Sequence, residues 1–269
     1  HEFLKTNNYL KAELKGGRLE ADLRENGYCY LPNFLSKETL HSLQSLFENV
    51  HLNNENSKGM WNSLFDLKEN ESEEVSQKIL ELLKPKLDAL FESYSAPVAS
   101  FMSKNAGEKG VCELHRDFSI LDEEKFEYRN VWIPLVDIQK ENGALYALKG
   151  SHNVFNYPLP MFQKWPYTDL QEELFDKVDV FEVKAGDLVI YADRTLHGSF
   201  LNLSQKPRPV VHLGALHPQF ETAYYHLNEE TVEVYKVPFS FFFENNYSNL
   251  KERFSLIKSF KYNPPEVKL

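Results

Sequence analysis

His115-Arg116-Asp117 sets an imidazole and a carboxylate two residues apart at the end of a strand-like run, Gly110–Leu114. In a strand, residues two apart project to the same side, so both side chains can take neighbouring positions on one metal ion. A third candidate ligand follows in the stretch Gly186–Ser199. There Gly186-Asp187 reads as a tight turn, Leu188–Tyr191 as an apolar strand, and His197 lies just beyond. His115, Asp117 and His197 would form a 2-His-1-carboxylate set, which covers one face of an octahedron and leaves three positions open. Such a set suits an oxygen-activating iron, with two open positions for a chelating 2-oxo acid and one for O2. Each motif alone is weak. With nine histidines in the chain, the first could be a surface pair and the second a packed core histidine.

Arg208 lies eleven residues past His197, at the head of the strand-like Pro209–Leu216. A short hairpin over Phe200–Pro207 is expected to bring that strand back beside the one carrying His197. A buried guanidinium near a metal can clamp the far carboxylate of a dicarboxylic co-substrate through two parallel hydrogen bonds. Lys206 is a neighbouring cation but falls in the turn.

The elements that must position these groups divide into two regions, within what reads as a single domain over residues 1–269. Residues from about 1 to 95 are largely helical. A short helix over residues 18–26 stops at Gly27, and Tyr28–Leu31 is strand-like. Ser36 caps an amphipathic helix with Leu40, Leu43, Leu46 and Phe47 on one face. Residues 51–60 read as a loop. The longest helical pattern spans residues 72–93, where Pro85 should kink or interrupt it. From about residue 96 to 240 the period shortens to two. Val98–Ser103, Gly110–Leu114, Tyr128–Val136, Ala144–Leu148, Val178–Val183, Leu188–Tyr191, Pro209–Leu216 and Thr231–Val237 read as strands between turn residues. Residues 248–260 read as helix. The expectation is a mainly β protein with flanking helices, a sandwich or jelly roll.

A formal net charge of −10, with no basic cluster, argues against nucleic-acid binding. It likewise gives no support to a phosphate-rich CoA ester as substrate. No apolar run is long enough to span a bilayer. His1-Glu2-Phe3-Leu4-Lys5 has no secretory-signal pattern, so a cytoplasmic location is expected. Cys29 and Cys112 form no CxxC motif and read as two buried free thiols.

Taken in order, these motifs resemble the phytanoyl-CoA dioxygenase family, from Gly27-Tyr28 to about His217. Besides the four site residues, the resemblance rests on several short stretches. They are Gly27–Ser36, Val131-Trp132-Ile133-Pro134-Leu135, Asn142-Gly143-Ala144-Leu145, Gly150-Ser151-His152, and His197-Gly198-Ser199 with Asn202. It implies a double-stranded β-helix of cupin-like form, with Fe(II) held by His115, Asp117 and His197. It also implies 2-oxoglutarate held by Arg208, with Ser199 donating to the same carboxylate and Trp132 lining that pocket. The implied reaction consumes O2 and releases succinate and CO2 while hydroxylating an aliphatic C–H of a small-molecule or carrier-bound substrate. Relatives that halogenate lack the metal-binding acid; Asp117 fills that place here.

Other residues are weighed on their own. His152 reads as a turn anchor rather than a ligand. His212 shares the strand parity of Arg208, and either packs in the core or touches the site; His217 has the opposite parity. The rings of residues 153–167 either pack over the barrel or form a lid. Trp61 is a candidate second wall of the cavity. Arg116 should point away from the metal, and Asp193-Arg194 reads as a solvated pair. Two other functions compete: a non-catalytic jelly-roll ligand-binding protein with a relic site, and a cupin-like metal enzyme that does not use 2-oxoglutarate.

Overall fold

The computed structural model describes residues 9–51, 59–107, 112–244 and 246–267. The N-terminal pentapeptide, most of the expected 51–60 loop and the first two residues of the expected Gly110–Leu114 strand lie outside them.

The N-terminal part runs β1 (Glu13–Leu14), α1 (Gly17–Asn26), β2 (Tyr28–Leu31), α2 (Lys37–His51), β3 (Met60–Asn62), α3 (Glu69–Leu90) and β4 (Phe91–Ser93). Gly27 ends α1 with a φ of 85°, a conformation that a side chain would strain. The Ser36 hydroxyl accepts from the Thr39 amide at the start of α2, as a capping residue should. Helix α3 runs through Pro85, so the proline does not interrupt it. Pro85 and Glu81, whose carbonyl the proline leaves without an amide donor, both lie on the exposed face, where water can take that carbonyl.

The rest is strand-rich: β5 (Ala99–Lys104), β6 (Cys112–His115), β7 (Arg129–Pro134), β8 (Leu145–Leu148), α4 (Ser151–Val154), α5 (Gln171–Phe175), β9 (Val178–Phe181) and β10 (Leu188–Ala192). Then follow β11 (His197–Ser199), β12 (Arg208–Ala215), β13 (Ala223–Asn228), β14 (Thr231–Lys236), α6 (Leu250–Arg253) and β15 (Ser255–Lys261). A six-stranded sheet has the order β2-β10-β7-β12-β5-β3, and a four-stranded sheet the order β6-β11-β8-β9. All their pairings are antiparallel. This is the jelly roll expected from the strand count, in the cupin-like form that the family resemblance implies.

Period-two alternation sorts the large sheet's side chains into two cores. Phe101, Val131, Ile133, Leu188, Ile190, Val211 and Leu213 pack outward against Leu43, Phe47, Ile79 and Leu83 of α2 and α3. Trp132, Val189, Tyr191 and Val210 face inward and meet Leu145, Ala147 and Phe181 of the small sheet. The helices therefore brace one face and leave the other free to build a cavity.

Six strands, β1, β3, β4, β11, β13 and β15, escaped sequence reading or were misread. β13 pairs with β14 across a two-residue turn in which Glu229 takes a φ of 54°. The expected helix over residues 248–260 survives only as α6; residues 255–261 instead add β15 to the edge of β14. The open hydrogen-bonding edge of β14 decides that conformation, and a local pattern cannot see it. β11 is three residues long, too short for a periodic signal. Trp61 is fully buried beside Phe47 and His51 in the helical core, so it is no wall of the cavity.

The expected hairpin between the His197 and Arg208 strands is not formed. β11 pairs with β6 and β8, whereas β12 pairs with β5 and β7. The chain crosses from one sheet to the other. Asn202 secures the crossing, its side-chain amide donating to the carbonyls of Lys104 and Lys206. Arg208 thus faces the His197 strand across the sandwich instead of lying beside it.

Candidate metal centre

β6 and β11 are paired so that His115 and His197 are direct Cα partners. Their ring centroids are 4.5 Å apart. Asp117 follows β6, and its Oδ1 lies 3.7 Å from His197 Nε2. One ligand atom from each of His115, Asp117 and His197 lies within 4.8 Å of the others, close enough to share one ion. Between His197 and Ser199, Gly198 is obligatory. A Cβ there would lie 2.3 Å from the Cys112 carbonyl and 2.6 Å from the Tyr146 ring, breaking the pairing that aligns the histidines.

Hydrogen bonds fix both rings. His115 Nδ1 donates to the Glu113 carbonyl at 2.8 Å, and His197 Nδ1 to the Thr195 carbonyl at 2.9 Å. With Nδ1 donating in each, Nε2 is the atom turned toward a metal, free in His197 and free in His115 once its second proton is displaced. Asp117 Oδ2 accepts from Asn130 Nδ2 at 2.8 Å and from the Tyr128 hydroxyl at 3.3 Å, leaving Oδ1 toward the histidines. His212 Nε2 donates in turn to Asn130 Oδ1 at 2.9 Å. His212 therefore supports the carboxylate through Asn130, and it faces the interior with Arg208 as their shared parity requires.

The electrostatics keep Asp117 ionised and His197 neutral, while His115 carries a proton that a metal must displace. Burial works to raise the Asp117 pKa, but His197 and His115 outweigh it and hold the carboxyl below its ordinary value. Burial pushes His197 down to about 4, so its ring is neutral. Burial also acts to lower His115, yet the Cys112 thiol and Asp117 lift it to about 9. Cys112 is only partly buried, with Sγ 3.9 Å from His115 Nδ1; both cysteines are free.

A cavity of about 230 Å³ opens on the three residues. Trp132, Ser199 and Arg208 line it together with Lys104, which sequence reading passed over. The Arg208 guanidinium lies 5.7 Å from the centre of the Trp132 ring. Lys104 is the direct Cα partner of Arg208, and its Nζ donates to the Phe200 carbonyl at 2.7 Å. Its inward parity follows Ser100 and Met102, so extending the expected strand by one residue would have found it. Asn130 also carried a signal: asparagine is unfavourable inside a strand unless its amide has work to do.

The remaining candidates sort plainly. His152 sits in α4, with Nε2 3.2 Å from the Arg24 carbonyl, and is a structural anchor. Arg116 points away and pairs with Glu123 at 2.5 Å. Asp193 and Arg194 are not solvated: both are buried, and Arg194 Nε lies 3.7 Å from Glu123. In the 153–167 segment, Phe155 and Trp165 pack on the outside of the small sheet, while Met161 lines a second cavity beside Asp117.

Comparison with known proteins places these features. Among solved structures, a non-heme alpha ketoglutarate dependent epimerase, SnoN from nogalamycin biosynthesis, is similar with a TM-score of 0.59 and 20% identity. The match covers 77% of this chain and 84% of that one. The carbocyclase SnoK of the same biosynthesis gives 0.57 at 16% identity, over 94% of both chains. HygX from Streptomyces hygroscopicus, solved with nickel and 2-oxoglutarate, gives 0.55 at 17% identity, over 76% of this chain and 88% of that one. These likenesses establish the fold. Phytanoyl-CoA dioxygenase 1 of Oryza sativa subsp. japonica is 30% identical over 146 residues, 47% of this chain and 48% of that protein. An Arabidopsis thaliana phytanoyl-CoA dioxygenase is 28% identical over 141 residues, 46% of this chain and 45% of that protein. The matched stretch thus spans about half of each curated relative. The family model described as phytanoyl-CoA dioxygenase (PhyH) matches residues 23–210, well over half of the sequence, and the chain belongs to that family.

Proposed function

We propose that the protein is an Fe(II)- and 2-oxoglutarate-dependent oxygenase that hydroxylates an aliphatic C–H bond of a small-molecule substrate. The observation that carries this reading is the convergence of His115, Asp117 and His197 at the floor of a cavity whose far wall holds two buried cations. Once an incoming ion has displaced the second proton of His115, two imidazole nitrogens and a carboxylate fit a divalent iron, and three ligands on one face leave room for a chelating co-substrate. When bound, iron activates O2, and the overall reaction turns R–H, O2 and 2-oxoglutarate into R–OH, succinate and CO2.

The chain supplies position and charge. His115 and His197 offer Nε2 from rings held by backbone carbonyls, and Asn130 orients Asp117. Arg208 and Lys104 attract the far carboxylate of 2-oxoglutarate, with the Ser199 hydroxyl as a further donor and Trp132 as an apolar wall. The sheets around this cavity keep bulk water from the reacting atoms. Asp117 fills the acid position, which favours hydroxylation over halogenation.

Incubating anaerobically purified protein with Fe(II) and 2-oxoglutarate, then admitting O2, tests the reading. Succinate should form, slowly and uncoupled when no substrate is present. A complete absence of succinate would favour a relic binding protein or a metal enzyme of another kind.

A further inference from the structure

A second cavity, of about 330 Å³, meets the first at Asp117, Met102 and His212, which line both. Its size falls within the range of small-molecule pockets, roughly 300–1,000 Å³. Its walls are largely apolar: Leu213 and Leu216 come from β12 and its end, and Phe239 and Phe242 from the helical turn between β14 and β15. At the rim, Phe65 is 67% exposed and Phe243 40% exposed, with their rings stacked 6.3 Å apart. Exposed rings continuous with an apolar cavity mark a place where apolar matter enters.

Charge narrows what can enter. Among the described residues lining this cavity there is no lysine or arginine, and its one acid is Asp117. The polar groups near the centre are already engaged. Asn130 bridges His212 and Asp117, the Tyr128 hydroxyl donates to Asp117, and the Ser100 hydroxyl donates to the His212 carbonyl. An anion moved here from water would find no lysine or arginine to pair with and would lie against the Asp117 carboxylate, an unfavourable transfer. The two cations of the site lie in the other cavity, on the far side of the metal position.

We propose that this second cavity takes a neutral, predominantly apolar small molecule, and that it excludes carboxylates and phosphate-bearing thioesters. The proposal rests on the metal reading above, because only iron at Asp117 makes the occupant a substrate. It narrows the small-molecule or carrier-bound substrate to a free one, whose reactive C–H bond faces the metal position beside Asp117 from the Phe65–Phe243 side.

Two dyes of one skeleton test it: neutral N-phenyl-1-naphthylamine and its sulfonated counterpart, 1-anilinonaphthalene-8-sulfonate. Each is titrated by fluorescence into the anaerobic protein with Fe(II) and 2-oxoglutarate. The neutral dye should bind at least about tenfold more tightly, since a tenfold ratio needs only about 1.4 kcal/mol. The double variant Phe65→Lys, Phe243→Lys, with its fold checked by circular dichroism, should weaken the neutral dye at least about fivefold. 1-Octanol should displace that dye more effectively than octanoyl-CoA. Equal or tighter binding of the sulfonate, binding of the neutral dye indifferent to the variant, or better displacement by octanoyl-CoA would overturn the proposal. The dye comparison is repeated without metal. Failure of the visible iron–2-oxoglutarate absorbance to form would count against the metal reading alone, and the dyes would still decide the cavity's preference.

Discussion

Lys104 and Arg208 stand directly opposite each other on β5 and β12, both pointing into the sandwich and only 1% and 4% exposed. Like charges in cross-strand register repel, and a carboxylate seated between them relieves that repulsion. Their pairing gives the smaller cavity a positive wall.

Arg208→Ala should therefore raise the dissociation constant of 2-oxoglutarate by roughly 100-fold, the scale of a lost charge-assisted pair. Lys104→Met, which keeps the stem and loses the charge, should weaken it by roughly 10-fold. Anaerobic calorimetry with Fe(II) present measures both; unchanged affinity in Arg208→Ala would remove that residue from the clamp.

Metal affinity should climb with pH. In the free protein His115 holds a proton up to about pH 9, because Cys112 and Asp117 outweigh the burial that disfavours it. An incoming ion must displace that proton, so affinity rises as pH approaches that value and levels off above it. Moving from about pH 8 to about pH 6 should weaken Fe(II) binding by up to roughly 100-fold. Titration with a competing chelator reads this, and a flat profile would contradict it.

Glu123→Gln should destabilise the fold by about 3–5 kcal/mol, because it leaves two buried arginines, Arg116 and Arg194, without their shared carboxylate. Urea unfolding followed by fluorescence checks this. Arg116 Nε also donates to the Asp117 carbonyl, so the same variant should lower metal affinity.

Asp193→Asn should do the opposite. Burial, against the pull of Arg194, raises the Asp193 pKa to about 8. Its ordinary value in the unfolded chain is lower, so folding takes up a proton. That cost grows as pH rises from the unfolded pKa to the folded one, and is constant beyond. The asparagine avoids it. Its stabilising effect on Tm should be larger near pH 8 than near pH 5, and a reversed order would contradict the sign.

Much of this site was legible because its residues obey strand periodicity. Arg208 and His212 share a side through strand spacing, and Asp117, just past the end of β6, stays close enough to His115 for the two to meet. Tertiary placement was less visible. The chain between His197 and Arg208 has turn composition, which a hairpin and a crossing between sheets satisfy equally; only the pairing of β12 with β5 and β7 distinguishes them. Asp193 and Arg194 looked solvated because their partner, Glu123, is distant in sequence. β15 looked helical because its conformation is set by the edge of β14.

Equilibrium binding of Fe(II) and 2-oxoglutarate to the anaerobic protein, followed by visible charge-transfer absorbance, tests the metal centre most directly. One ion and one 2-oxoglutarate should bind per chain, and both Asp117→Ala and His197→Ala should abolish the band with the fold intact. An undiminished band in both variants would show that iron sits elsewhere.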